Sequence, residues 1–182
     1  MKTVVFITGT NCAGKSTLAR DLIRHYGGIK EEEETLTICA DVRVTFAGTG
    51  YDVSSTNCGV DKIKNTRSLA KVVKQGMIRS DCVICEGSFL NTFGMNLTNA
   101  LFCGEQALVV FLYANLSVIN RRRVERSGKP LNGHIVQRQR GAVRAAVKWQ
   151  DIGVPVLTID TSTRTPEQIA EIVINKLHKY GL

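Results

Sequence analysis

Eight residues near the amino terminus have the types and spacing of a phosphate-binding loop. Residues 9–16 follow the pattern G-x-x-x-x-G-K-S, between an apolar run and an amphipathic segment. Glycines let successive backbone N–H groups point at one phosphate, and a helix starting here adds its positive end. The Lys15 ammonium would neutralise β- and γ-phosphate oxygens, and the Ser16 hydroxyl would bind Mg²⁺. The pattern predicts that ATP is bound by Gly9, Thr10, Asn11, Cys12, Ala13, Gly14, Lys15, Ser16 and Thr17.

Two acidic side chains follow predicted buried strands, at the strand ends where ligands bind in parallel sheets. Asp41 comes directly after the apolar residues 35–40, and Glu86 comes directly after residues 81–85. An acid beside a bound nucleotide can accept the proton of an acceptor hydroxyl or hold Mg²⁺. We therefore expect Asp41 to be the general base, and we expect Glu86 to bind the metal together with Ser16.

The positive charge of the chain is concentrated in one segment. The net charge is +8, and residues 115–150 contain nine basic residues against one acid, so the rest of the chain is balanced. This distribution predicts a focused anion site. Arg122 and Arg126 lie one helical turn apart and would neutralise charge on a phosphoryl group during transfer. Because a Gly/Pro-containing break follows at residues 128–133, we expect residues 120–140 to form a mobile lid.

Alternating apolar and amphipathic segments predict an α/β fold. Short continuous apolar runs are typical of strands buried on both faces of a parallel sheet. Five such runs occur, at residues 2–8, 35–40, 81–85, 107–114 and 154–159. Helical periodicity occurs at residues 16–26, 61–76, 117–127 and 134–149 and from Thr165 onward. We expect a three-layer P-loop NTPase fold with a five-stranded parallel sheet and a helical lid, in a single domain over residues 1–182.

The composition excludes several classes of protein. Hydrophobic residues make up 43% of the chain and charged residues 22%, which is typical of a globular protein and not of a disordered one. The longest apolar run is residues 107–114, far shorter than the roughly 20 residues of a membrane-spanning helix. The first residues show no cleavable-signal pattern. We therefore expect a cytoplasmic protein without a membrane partner.

The sequence resembles the P-loop nucleoside, nucleotide and polynucleotide kinases over nearly its whole length. The similarity rests on GTNCAGKST, ICADVR, VICEGSFLN, INRRRVERSGK and TIDTS, and is greatest to phage-type polynucleotide kinases. In that group the acid after the second strand activates the accepting hydroxyl. The resemblance implies catalytic roles for Lys15, Asp41, Arg122 and Arg126. It implies substrate binding by Asp41, Arg43, Glu86 and Asn91.

The resemblance leaves three functions open. Small phage kinases that phosphorylate 5-hydroxymethyluracil in DNA have a similar size and layout. Our first expectation is therefore transfer of the γ-phosphate to DNA, at that hydroxymethyl group or at a 5′-hydroxyl, in the host cytoplasm if the protein is phage-encoded. The alternative is a kinase of free nucleosides, nucleotides or metabolites. The third is a module that binds nucleotide without transferring phosphate. By position, residues 48–60, with Tyr51 and Asp52, would recognise the acceptor.

Overall fold

The computed structural model describes residues 1–52, 58–63, 68–92 and 94–182. Its strands are β1 (Thr3–Gly9), β2 (Ile29–Glu32), β3 (Leu36–Cys39), β4 (Val44–Ala47), β5 (Cys82–Glu86), β6 (Gln106–Tyr113) and β7 (Val156–Asp160). Its helices are α1 (Lys15–His25), α2 (Leu69–Arg79), α3 (Met95–Leu101), α4 (Leu116–Ser127), α5 (Gly133–Asp151) and α6 (Pro166–His178). Two short 3-10 turns, Val60–Lys62 and Ser88–Asn91, follow β4 and β5 along the chain.

The strands form one mixed sheet in the order β2-β3-β4-β5-β1-β6-β7. The five strands from β4 to β7 in this order are parallel, whereas β3 is antiparallel to both of its neighbours. The prediction of a five-stranded parallel sheet is therefore wrong, because the sheet has seven strands. Strand β2 has the sequence IKEE, in which three residues are exposed. An exposed edge strand needs no apolar pattern, so β2 is not among the five predicted strands.

A tight hairpin joins β3 to β4, at a place where no hairpin was predicted. The Asp41 carboxylate accepts a hydrogen bond from the Arg43 N–H at 3.0 Å, and the Asp41 carbonyl accepts one from the Val44 N–H at 3.1 Å. We predicted that the second parallel strand ends at Asp41. Residues 40–43 are instead the turn of the hairpin, and the parallel strand is β4.

Helices cover both faces of the sheet. Strand β1 is buried along its whole length, and its side chains alternate between two clusters. Val5 and Ile7 pack with α1 and α6, and Val4 and Phe6 pack with α2, α3 and the buried Trp149 of α5. This arrangement places three layers around β1, with its carboxyl end open between them. No helix in the described part of the chain is long and apolar enough to span a membrane.

Most helix boundaries agree with the predictions, but one helix near the site begins later than predicted. Helix α4 ends at Gly128, which has a φ of 66°, and a short turn leads to α5. Helix α6 begins after Thr165 as predicted, and Thr165 and Gln168 form a capping box there. The predicted helix over residues 61–76 begins only at residue 69, and Asp61 lies in a 3-10 turn. Of the predicted acceptor loop at residues 48–60, residues 53–57 lie outside the described residues.

Candidate active site

The predicted phosphate loop curves tightly between β1 and α1. Gly9 lies against β6, where the Thr10 N–H donates to the Leu112 carbonyl at 3.0 Å. A Cβ on Gly9 would collide with that same carbonyl oxygen, so only glycine fits. Gly14 has a φ of 90° and precedes α1 without any side-chain cap. The first N–H groups of α1 therefore point into the loop, as an anion site requires.

Lys15 lies inside the loop and is 8% exposed. Its ammonium donates hydrogen bonds to the carbonyl oxygens of Thr10, at 3.0 Å, and Gly9, at 3.4 Å. Burial lowers the pKa of Lys15, and the nearby carboxylates of Glu86 and Asp61 oppose that shift. A cation held by weak carbonyl partners can exchange them for phosphate oxygens, so Lys15 is placed for the predicted contact with phosphate.

Ser16 and Glu86 meet directly beside Lys15. The Ser16 hydroxyl donates to Glu86 Oε1 at 3.1 Å, and the Cys58 thiol donates to Oε2 at 3.7 Å. Glu86 is 2% exposed. The pKa of Glu86 is raised to about 7, chiefly by burial and also by the charge of Asp61, against the opposing effect of Lys15. A hydroxyl and a carboxylate are the hard oxygen donors that Mg²⁺ prefers, so this pair fits the predicted metal site.

Asn91 contacts the loop itself. Its Oδ1 accepts from the Gly9 N–H at 3.1 Å and from the Thr8 hydroxyl at 2.5 Å, while its Nδ2 donates to the Gly9 carbonyl at 2.9 Å. The predicted substrate contact of Asn91 is thus joined by a positioning role, because the amide holds the first residue of the loop.

Asp41 and Arg43 lie at the amino ends of the parallel strands, opposite the end that carries the phosphate loop. The Asp41 N–H donates to the carbonyl of Tyr26, just beyond the far end of α1. The length of β1 puts roughly 20 Å between the amino ends and the carboxyl ends of the parallel strands. The Asp41 carboxylate pairs with the Arg43 guanidinium at 2.7 and 3.0 Å, and this hydrogen bonding lowers the pKa of Asp41. The placement of Asp41 as base beside the nucleotide is therefore wrong, and so is that of Arg43, because β3 is antiparallel.

The structure brings a different aspartate, Asp61, to the loop. Its Oδ1 accepts from the backbone N–H groups of Ser88, at 2.7 Å, and Phe89, at 3.3 Å. A Cβ on Gly87 would lie 2.7 Å from this oxygen, so the approach of Asp61 requires glycine there. Asp61 was not predicted to lie at the site, because it was assigned to the helix over residues 61–76. The glycine directly after Glu86 was the available signal.

The two predicted lid arginines have different surroundings. The Arg122 guanidinium donates to the Cys12 carbonyl at 3.2 Å and to the Thr161 carbonyl and hydroxyl at 2.6 and 3.1 Å. It therefore joins α4 to the loop and to the segment after β7. Arg126 makes no hydrogen bond or ion pair within the described ranges, and its charge lowers the pKa of Lys15. Arg126 is thus the one of the two that can turn to an added anion.

Two cavities meet at these residues. The loop cavity, of about 400 Å³, contains Lys15, Ser16, Glu86, Arg122 and Arg126 and extends to the start of α6. The side cavity, of about 520 Å³, is lined by Phe89, Asn91, Thr92, Arg138 and Gly141. Both cavities are lined by Asn11, Asp61 and Ser88. The geometry thus offers a phosphate site and a second ligand site, with the Asp61 carboxylate where they meet.

Comparison with known proteins identifies the fold. No protein-family model matches the sequence, and no curated protein does. The structure is similar to a sugar kinase from Janibacter sp. HTCC2649 (TM-score 0.59, 17% identity, 98% of this chain and 95% of that chain). It is similar to the YorR protein of Bacillus subtilis in complex with phosphorylated GDP (0.58, 16%, 97% and 96%). It is also similar to shikimate kinase from Acinetobacter baumannii in complex with shikimate (0.55, 14%, 100% and 96%).

These similarities show that the chain has the fold of P-loop kinases. At such identities they show the fold alone. The predicted closeness to phage polynucleotide kinases is not shown, because the similar structures named here are those of a sugar kinase, of a shikimate kinase and of a protein holding a phosphorylated nucleotide.

Proposed function

We propose that this protein is an ATP-dependent kinase that transfers the γ-phosphate to a hydroxyl group of a small molecule. The observation that carries the proposal is the meeting of the loop cavity and the side cavity at Asp61. A nucleotide in the first and an acceptor in the second would bring a phosphate and a hydroxyl together beside one carboxylate. Positioning of this kind accounts for much of the catalysis in phosphoryl transfer.

The donor side of the reaction uses the phosphate loop. The N–H groups at the start of α1 and the Lys15 ammonium would bind the β- and γ-phosphates of ATP. Ser16 and Glu86 would hold Mg²⁺, which neutralises charge on the phosphate oxygens when bound. Glu86 has its pKa near 7 and would give up its proton to serve as a ligand. Arg126 would neutralise the charge on the group in transfer.

The acceptor side uses Asp61. Its carboxylate is anchored by the Ser88 and Phe89 N–H groups, which fix its direction at the boundary of the two cavities. An acceptor hydroxyl would pass its proton to this carboxylate as the oxygen attacks the γ-phosphorus. The bond from the γ-phosphorus to the bridging oxygen of ATP breaks, and ADP leaves. Asp61 therefore takes the role that was predicted for Asp41.

The helical pair α4 and α5 is proposed to act as the lid, over residues 120–140. The turn between them is held to α4 by two hydrogen bonds, from the Leu131 N–H to Asn120 Oδ1 at 2.8 Å and from Arg123 Nε to the Pro130 carbonyl at 3.1 Å. These contacts tie the turn to α4, and closure of this segment would bring Arg126 onto the phosphates, while the buried Trp149 keeps the far end of α5 in the core. We propose that residues 1–182 form one kinase domain.

A nucleic-acid acceptor remains the second candidate. The exposed Arg144 on α5 favours it, since it adds positive charge on the helix that borders the side cavity. The acceptor would then be a DNA 5′-hydroxyl or the hydroxymethyl group of 5-hydroxymethyluracil in DNA. The side cavity has a volume of about 520 Å³, and two of the similar structures hold shikimate and phosphorylated GDP; both observations favour the small molecule.

Transfer of label from γ-labelled ATP with Mg²⁺ tests the proposal. Neutral sugars, sugar acids, nucleosides, nucleotides and DNA of both kinds would be offered side by side, with K15M as the inactive control. We expect label in a small molecule and a rate that changes little with salt. Label in DNA alone, lost steeply as salt increases, would establish the second candidate instead. Nucleotide binding without transfer to any acceptor would contradict both.

A further inference from the structure

The side cavity is lined by an arginine that has no partner among the described residues. Arg138 lies on α5 and lines this cavity but not the loop cavity. Among the described residues lining the side cavity it is the one cation, and Asp61 is the one acid. In the part of the chain that the structure describes, Arg138 makes no ion pair or hydrogen bond. Arg122, by contrast, donates hydrogen bonds within the protein, to Cys12 and Thr161.

A glycine one turn along α5 leaves space beside this arginine. Gly141 lies inside a helix of 19 residues and also lines the side cavity. A Cβ at this position would meet no described atom within 4 Å. Glycine inside a helix is less stable than alanine, and here the packing of the described residues gives no reason for it. The missing side chain keeps the wall of the cavity open for a ligand.

We propose that the acceptor carries an anionic group, which Arg138 binds while the reacting hydroxyl contacts Asp61. This inference rests on the proposed kinase function and names its substrate class: small hydroxylated anions, either carboxylates or phosphate esters. A guanidinium binds both groups through paired N–H donors. Phe89, half-buried in the same cavity, adds an apolar surface for the carbon skeleton.

The division of charges between the cavities supports this class. Lys15 and Arg126 line the loop cavity, where ATP would bring negative charge. Arg138 lies outside that group and lines the side cavity, where its guanidinium is exposed to solvent. The single carboxylate of the described lining, Asp61, is anchored on backbone N–H groups and is not paired with Arg138. An anionic acceptor would pair with this guanidinium, whereas a neutral acceptor would leave it to the solvent.

Matched acceptors test the inference. Neutral sugars and polyols, the corresponding sugar acids and their phosphate monoesters would be compared with wild-type protein, R138Q and R140Q. Arg140 is an exposed arginine that lines neither cavity. We expect label in the sugar acids or in the phosphate esters. The class that takes label identifies the anionic group as a carboxylate or as a phosphate. R138Q should raise KM for that acceptor about 10- to 100-fold, with KM for ATP unchanged and R140Q like wild type.

Gly141 supplies an independent check. G141L should fill the side cavity and raise KM for the acceptor without lowering the melting temperature, and G141A should raise the melting temperature. Equal use of neutral and anionic acceptors, or an unchanged KM in R138Q, would overturn the inference and leave the kinase function standing. Failure of every acceptor to take label, with ATP bound, would overturn the kinase function and this inference with it.

Discussion

Asn91 holds Gly9 on both sides of its backbone. The Asn91 carbonyl oxygen accepts from the Gly9 N–H at 3.1 Å, and the amide nitrogen donates to the Gly9 carbonyl at 2.9 Å. The two residues are far apart in sequence, on the 3-10 turn after β5 and at the end of β1. This pairing fixes the start of the phosphate loop to the neighbouring strand, so the loop has its shape before nucleotide binds.

Replacing the amide by a carboxylate should loosen the loop. N91D keeps an acceptor for the Gly9 N–H but sets an oxygen against the Gly9 carbonyl. We expect a loss of about 1–3 kcal/mol in the free energy of unfolding and weaker ADP binding. Chemical denaturation and ADP titration measure the two effects. N99D, at an exposed position of α3, is the control. If N91D and N99D behaved alike in both experiments, the hydrogen bonds between Asn91 and Gly9 would not hold the loop.

The buried carboxyl of Glu86 should make stability depend on pH. Its pKa is raised from 4.5 to about 7 in the folded protein. Between these two pKa values the folded protein holds the proton and the unfolded chain has lost it. The free energy of unfolding therefore falls as pH rises through this range. The loss amounts to at most about 3 kcal/mol. E86Q has no such proton, so metal-free E86Q should gain on wild type from pH 5 to pH 8 in denaturation experiments. Parallel curves would contradict the raised pKa.

Gly87 should be required for the position of Asp61. In G87A the added methyl group would lie 2.7 Å from Asp61 Oδ1 and would collide with a Val60 methyl group. We expect the transfer rate to fall about 10- to 100-fold through displacement of Asp61, with ADP affinity nearly unchanged. The control is G94A, since a Cβ there would meet no atom of the described residues within 4 Å. Normal turnover by G87A would show that Asp61 need not sit so close.

Arg122 should act as a brace. Its hydrogen bonds reach the Cys12 carbonyl and the fully buried Thr161. R122K cannot reproduce this fork of donors, so we expect a loss of about 1–3 kcal/mol in unfolding free energy and weaker ATP binding. R121K, at an exposed neighbour, should resemble wild type in both assays. A purely kinetic defect in R122K, with normal stability, would instead support the predicted catalytic role.

The loop could be predicted from sequence, whereas the acid beside it could not. Residues 9–16 form a local structure, and their glycines, lysine and serine determine it within one strand, one turn and one helix. The place of Asp41 depends on whether β3 pairs parallel or antiparallel, and an apolar run has the same appearance in both cases. Asp61 owes its position to Gly87 and to the Ser88 N–H, residues distant in sequence. Such contacts are visible only in three dimensions.

Transfer of the γ-phosphate from ATP to the acceptor is proposed to take place in the space between Lys15 and Asp61, at the carboxyl ends of the parallel strands. The most direct measurement compares D61N with D41N in transfer from γ-labelled ATP to the best acceptor. We predict that D61N loses at least about 100-fold in kcat while ADP binding is kept, and that D41N stays within about twofold of wild type. Loss of transfer in D41N, with D61N active, would contradict the account.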